Sequence, residues 1–542
     1  MPVIKTPGVD IVGKNAFPNS VVEVATAVPA FVGYTEKADN GGKSLANPPW
    51  RIASLAEYHR YFGAGPAPRF EIRETPDAAA ATFKQGAKSY VLTQQGGRYL
   101  LYYGIRQFFQ NGGGPCHVVS VGGYGDPIDA MKLEGGIEAL VQEAEPTLVV
   151  VPECVLLDAA ACTQVQQAML AHCGKTMRNR VAILDIRGGD RSNRENGCID
   201  DFRGALGVDY LDFAAAYYPW LRTTTVQDGE LNYSHIATAG MLIKVLAADL
   251  QLDPPPASGA RPANRQSPAG SKEQAQRDAL EAINKTSAQW LAEWQANAIA
   301  KFGNQATAWM AANQDGAKAY IRAAQQRLDQ ALGTMSSLYK TIIGAMKDQV
   351  NLLPPGPTIA GIYAMVDSTR GVWKAPANVS LAGVVAPAVS VSAEEQDELN
   401  VTPQGKSINA IRTFAGEGVL VWGARTLDGN STDWRYVNVR RTAIMIEESC
   451  RLALRALVFE PNVAGTWVTV KSMIGNFLSG IWKSGGLAGA TPQDAFGVRV
   501  GLGETMTQED VDQGILRVTL LVAISRPAEF VEITIQQQMQ KS

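Results

Sequence analysis

Arg98 to Val121 reads RYLLYYGIRQFFQNGGGPCHVVSV, and the fold follows from it. Its first half carries aromatic and aliphatic residues at helical spacing and predicts a helix over 98–110. Asn111-Gly112-Gly113-Gly114 ends that helix, because glycine accepts the left-handed conformation of a C-terminal cap. Cys116–Val121 (CHVVSV) is then a continuous apolar run, as expected of a strand buried on both faces. Two more such runs follow downstream, Thr147–Val151 (TLVVV) and Val181–Asp185 (VAILD), with a helical stretch at Asp158–Cys173 between them. Strands alternating with helices from about 50 to 256 predict a mainly parallel sheet covered by helices, an α/β class within a chain that is α+β overall.

Outside this core the character changes. Residues 253–270 (DPPPASGARPANRQSPAG) are a linker by composition. Ser271–Leu353 contains no proline and places Leu328, Leu332, Met335, Leu338, Ile342 and Met346 at helical spacing, with Trp290 and Trp294 four apart. Pro354-Pro355-Gly356-Pro357 closes it, so two proline clusters bracket a helical insertion. Beyond an acidic loop at Glu394–Glu398, Ser407–Trp422 predicts strands that open a new domain. Arg440–Val458 and Thr466–Trp482 predict helices there, and Ile515–Ile524 and Phe530–Gln536 predict strands. The expected division is 1–25 an extended arm, 26–256 an α/β domain, 257–353 the helical insertion, 354–400 the rest of the central domain, and 401–542 an α+β C-terminal domain. It ends in a strand arm with Val531, Ile533 and Ile535 on one face. At the other end, prolines and glycines punctuate short β-branched runs such as Val21-Val22-Glu23-Val24, which predict a strand arm that must lie on a sheet of its own chain or a neighbour's.

Composition excludes several function classes. The chain has 542 residues, 49 basic against 52 acidic, and a formal net charge of -3, so nothing draws it globally to nucleic acid or an anionic membrane. Charged residues make up 19%, below the roughly 25% that is usual, which points to deep cores or to surface covered by other subunits. Six scattered cysteines form no CxxC pair and read as reduced thiols of a cytosolic protein. Met1–Gly8 shows no basic-then-apolar pattern, so no signal peptide is expected, and no segment suits membrane insertion.

Motifs of catalysis are weak. Gly42-Lys43-Ser44 and Gly174-Lys175-Thr176 imitate a phosphate loop, but the first glycine that such a loop needs is Lys37 or Met169. Cys116-His117 and His172-Cys173 suggest zinc, yet neighbours on a strand point to opposite faces and no further cluster has ligand spacing. No catalytic residue, cofactor site or metal site is assigned.

Several stretches together resemble contractile phage tail sheath proteins, including those of phage-like injection particles. They are Thr6-Pro7-Gly8-Val9, Val28–Thr35, Ile52–Tyr58 with Phe62-Gly63, Phe108–Gly113 and Tyr217–Leu221. Later come Pro354–Gly356, Ile359–Ala364, Thr369–Ala377, Ile408–Arg412, Val421–Leu427, Glu447–Ser449 and Val458–Asn462. The resemblance spans the chain except Ser271–Leu353. It implies a structural subunit, not an enzyme, that stacks as hexameric rings around an inner tube and contracts to drive the tube through a target envelope. Implied partners are copies of itself, the tube, and baseplate and terminal cap proteins. The implied place is a phage tail or injection particle, put together in the cytoplasm. Val21–Val24 and Val531, Ile533 and Ile535 are then expected to pair with neighbouring subunits, and Lys471 and Lys483 to face the tube. The rival expectation is a cytosolic α/β enzyme with a fused helical regulatory domain.

Overall fold

The computed structural model describes residues 20–253, 271–400 and 405–530. At its centre is a nine-stranded mixed sheet, built around six parallel strands. In spatial order these are Cys116–Gly123, Pro29–Thr35, Leu148–Val150, Val181–Asp185, Ala214–Tyr218 and Asn409–Phe414. Trp50–Ile52 closes one edge antiparallel, and Gly418–Val421 followed by Val379–Ser380 closes the other. The apolar runs of the sequence are the inner strands, buried on both faces because helices cover them. Pro29–Thr35 is fully buried and pairs with a strand on each side, in the middle of the sheet.

The helix predicted over 98–110 spans Leu101–Gln110. It ends as expected: Gly112 has φ +89°, Gly113 N–H donates to Phe108 O (2.9 Å), and Gly112 N–H donates to Phe109 O (3.4 Å). That pair of bonds is a Schellman motif. Its neighbour, the Gly356–Arg370 helix, crosses it closely, since a Cβ at Gly361 would sit 2.6 Å from Phe108 O. Neither helix has a capping side chain of its own. Carboxylates from strand ends supply them. Glu153 Oε1 accepts from Leu100 N (3.1 Å) and Leu101 N (2.7 Å), and Asp185 Oδ1 accepts from Gly356 N (2.6 Å).

Both carboxyls are fully buried, and burial pushes each up to about 7. A carboxyl that binds its proton more tightly when folded contributes stability below its unfolded pKa, and that contribution is lost as pH rises through about 7. These two groups therefore lower stability as pH rises from about 4 to about 7, each by at most about 1.4 kcal/mol per pH unit. Glu153→Gln retains the accepting oxygen and should flatten that slope in denaturation curves taken across the window. An unchanged slope would refute the assignment.

The helical stretch is five helices, Lys272–Ala282, Ser287–Phe302, Ala306–Ala312, Gln314–Met335 and Ser337–Val350. Ser271, Thr286 and Ser336 cap three of them. Trp290, Trp294, Leu328, Leu332, Ile342 and Met346 are all buried. Tyr339 ties the block to its base by accepting from Tyr233 N (3.1 Å), and Gln349 donates to Leu92 O (2.7 Å). Leu352–Leu353 then pairs antiparallel with Leu221–Thr223 beside the main sheet.

One placement differs from expectation. Asn409–Phe414 and Gly418–Val421, expected to open a separate domain after residue 400, continue the main sheet through the parallel pairing of Tyr217 with Asn409 and Tyr218 with Ala410. The acidic loop before them is a short helix, Ala393–Asn400, that brings the chain back alongside the sheet. The C-terminal part has its own apolar cluster, built on the Val437–Leu454 and Ala464–Lys483 helices and a two-stranded sheet, Phe496–Arg499 with Thr519–Val522. All six cysteines are unpaired and buried.

The imitation phosphate loops have other roles. Lys43–Ser44 is one side of an exposed hairpin with Asp39–Asn40, and Gly174–Thr176 lies in a widened turn, His172–Met177, that ends a helix. His172 accepts from the buried Arg180 guanidinium at 3.2 Å, and burial together with that charge holds it down to about 4.

Candidate functional site

The Val437–Leu454 helix begins with Val437 to Ile446 buried without a break, because it is wedged between the main sheet and the C-terminal cluster. Arg440 and Arg441 are the fourth and fifth residues of this helix and are buried, so each guanidinium needs a nearby carboxylate. Arg440 pairs with Asp212 and lies over the rings of Trp434 (3.6 Å) and Phe213 (4.3 Å). Arg441 pairs with Asp367, Nη1 to Oδ1 3.0 Å, and lies 4.5 Å over the Tyr363 ring.

The Arg441–Asp367 pair also grips the N-terminal segment. Thr26 Oγ1 donates to Asp367 Oδ2 (2.5 Å), and Arg441 Nη2 donates to Thr26 O (3.0 Å). Two residues earlier in the chain and about two turns further along the helix, Val24 N–H donates to Ser449 Oγ (3.1 Å), and Val21 is buried in the C-terminal apolar cluster. Residues 21–28 therefore form a strap from the C-terminal part to the first strand of the sheet.

The other end of the chain is held by a matching device. Arg425 makes a two-pronged contact with Glu529, Nε to Oε1 2.8 Å and Nη2 to Oε2 2.7 Å. Tyr436 O–H donates to Glu529 Oε2 (3.0 Å), and Arg425 Nη1 donates to Asn400 O (2.9 Å). Asn409, at the start of its strand, fixes the arginine's backbone: Oδ1 accepts from Arg425 N (2.7 Å) and Nδ2 donates to Arg425 O (2.8 Å). The sheet thus positions a guanidinium at the root of the C-terminal segment.

Of the residues expected at the site, Val21 to Val24 are in no strand among the described residues. Val21 is buried, Val22 is 75% exposed, and Val24 bonds to its own chain. Within the single chain, Val21 and Val24 are held by apolar burial and by Ser449. Val531, Ile533 and Ile535 lie outside the described residues. Lys471 and Lys483 are both exposed on the Ala464–Lys483 helix, but twelve residues apart they stand ~18 Å and ~120° from each other and share no face. Lys471 lies 3.8 Å from Glu504, and Lys483 adjoins a groove lined by Arg370, Lys374 and Arg526 near Ser484. Sequence reasoning missed Arg425, Arg440 and Arg441. The signal was there, in paired arginines at the apolar start of a helix.

Among the described residues no group of three or more His, Cys, Asp or Glu side chains could hold a metal ion, and no helix is long and apolar enough to cross a membrane. What the arrangement does is tie residues 21–28 to the Val437–Leu454 helix and Glu529 to Arg425 beside the main sheet.

Comparison with known proteins agrees. The family described as phage tail sheath protein central domain matches residues 276–427, and that described as phage tail sheath C-terminal domain matches 430–538. Over 99% of both chains, the structure is similar to the sheath of the extracellular contractile injection system PVC in its contracted state (26% identity, TM-score 0.55). The chain belongs to the contractile tail sheath family. The contracted helical sheath of the anti-feeding prophage is a further match, at 26% identity and TM-score 0.57 over 99% of this chain and 100% of that one. The tail sheath protein of Vibrio phage KVP40 is 28% identical over 152 residues, which is 28% of this chain and 22% of that protein. This sheath protein thus spans about a fifth of the length of that curated relative. The relatives are structural sheath proteins, and the enzyme reading falls with them. Two boundaries change as well. The central match starts at 276, so it takes in most of the helical stretch that the sequence resemblance left uncovered. The central and C-terminal matches meet near 428, in keeping with the strands at 409–421 completing the main sheet.

Proposed function

We infer that the protein polymerises as stacked hexameric rings around an inner tube and contracts to drive that tube through a target envelope. Its place is then a phage tail or injection particle with a baseplate and a terminal cap. One observation supports the reading: the segments that lead to both ends of the chain are anchored at buried arginine–carboxylate pairs, Arg441 with Asp367 beside Thr26 and Arg425 with Glu529. Arms fastened this way transmit force to a rigid body. The acceptor for a neighbour's arm is the two-stranded sheet Phe496–Arg499 and Thr519–Val522, whose outer edges are unpaired among the described residues. A sheet of two strands is marginal alone and gains from added strands. The segments that pair with neighbours run up to Val24 at one end and hold Val531, Ile533 and Ile535 at the other. The five-helix block is an inserted domain on the outside of the sleeve, since in the bore it would obstruct the tube.

Deleting 1–19 or 531–542 should leave a folded subunit by circular dichroism and abolish tubes in electron micrographs. Normal tubes from either deletion would refute the pairing. Lys471, with its long 3.8 Å contact to Glu504, is the stronger tube-facing candidate. Such exposed pairing is weak and screened by salt. Retention of the tube inside the sheath should fall between low and high salt, and Lys471→Glu should lower it at low salt. Retention that ignores both salt and K471E would exclude the contact.

A further inference from the structure

In chain order the parallel strands cross the sheet as 2-1-3-4-5-6, an arrangement that opens a crevice at the strands' carboxyl ends where the order reverses. Here that crevice, between Pro29–Thr35 and Leu148–Val150, is filled. Glu153 lies across it, so close that a Cβ on Gly33 would sit 2.3 Å from its Oε2, and the Leu101–Gln110 helix abuts it. The opening is displaced by one strand. A cavity of about 870 Å³ stands at the carboxyl ends of Leu148–Val150, Val181–Asp185 and Ala214–Tyr218. That is within the size range of small-molecule sites.

Three arginines line it, Arg98, Arg187 and Arg191. None is in an ion pair within 4.0 Å among the described residues. Arg98 is desolvated enough for burial to lower its pKa, with only the more distant Asp190 offsetting this. The loop carrying the other two is fixed from behind. Trp220 Nε1 donates to Ile186 O (2.8 Å), Asn196 Nδ2 to Gly188 O (2.9 Å), and Trp220 N to Gly189 O (2.9 Å). Arg187 is itself oriented by Nε donating to Leu157 O (2.8 Å), which leaves its outer nitrogens free to bind. Unpaired guanidiniums on a rigid loop match the oxygens of a tetrahedral anion, to which arginine donates in parallel pairs. Gln167 and Asn196 also line it, their amide nitrogens already donating to Ala205 O and Gly188 O, and Asp190 and Asp201 can accept from hydroxyls of an attached group.

We propose that this cavity binds a phosphate-bearing small molecule, held by Arg98, Arg187 and Arg191. The site is separate from both arm roots. The test is calorimetric titration of the full-length, unpolymerised protein with pyrophosphate and with ADP at constant ionic strength, alongside Arg98→Gln and Arg191→Gln. Neither substitution removes an apolar core side chain, and the thermal midpoint of each confirms folding. The expected result is saturable binding of pyrophosphate or ADP that each substitution weakens roughly tenfold. Tighter binding of ADP assigns a nucleotide, and equal binding a bare phosphate group. No binding by either probe overturns the proposal, as does binding that both variants leave unchanged. A cavity filled instead by a neighbouring copy gives no probe binding and variants that fail to polymerise, which also overturns it.

Discussion

Arg441→Ala is expected to destabilise the subunit by about 3–5 kcal/mol, since it strands the Asp367 carboxylate in the interior. The side chains of the pair are only 3% and 6% exposed, so little solvent can replace the lost guanidinium. The loss spreads because Arg441 also holds Thr26 O, and Asp367 would be left with the Thr26 hydroxyl alone. The strap over 21–28 should therefore open to protease near Thr26 before the sheet unfolds. Denaturant titration of the unpolymerised protein measures the first effect and limited proteolysis the second. Adding Asp367→Asn to Arg441→Ala should recover a large part of the loss, because the stranded charge, more than the missing contact, sets the cost. A single-variant loss under 1 kcal/mol would show that water reaches the pair.

Glu529→Gln acts on assembly more than on folding. The glutamine cannot accept both prongs of Arg425, and Tyr436 loses a charged acceptor. Glu529 is 19% exposed, so the subunit should lose only about 1–2 kcal/mol. The C-terminal arm, however, loses its fixed origin. Each 1.4 kcal/mol of lost arm pairing raises the concentration needed for polymerisation about tenfold. Pelleting assays across a dilution series should show a shift of at least that size, with the circular dichroism of the subunit unchanged. Polymerisation at the original concentration would mean that the arm's footing does not matter.

Much of the fold was legible from local pattern. Val181–Asp185 was read to the residue because a strand covered on both faces has no polar alternation to blur its limits. The 101–110 helix was read through its glycine stop. What could not be read is what joins distant segments. Asn409 lies opposite Tyr217, 192 positions earlier, and nothing local in INAIRTF says which strand it will extend. The burial of Val21 is of the same kind, since the other buried residues of its apolar cluster, Met445 and Ile446 included, lie more than 300 residues on. Arg441 and Asp367 were visible as charges, but pairing is a tertiary property. In the β-branched run 21–24 only Val21 is buried in a core while Val22 stays exposed, a split that the local pattern does not reveal.

The buried thiols have a practical consequence. Thiolates are the species that react with alkylating dyes, and burial pushes Cys198 and Cys450 up to about 11 and Cys173 to about 12. With all six native cysteines out of reach, a single cysteine introduced at Val468, 67% exposed, becomes a unique attachment point for a fluorophore. No cysteine-free background has to be made first. Distances between dyes on successive subunits could then be followed in real time as a sleeve shortens.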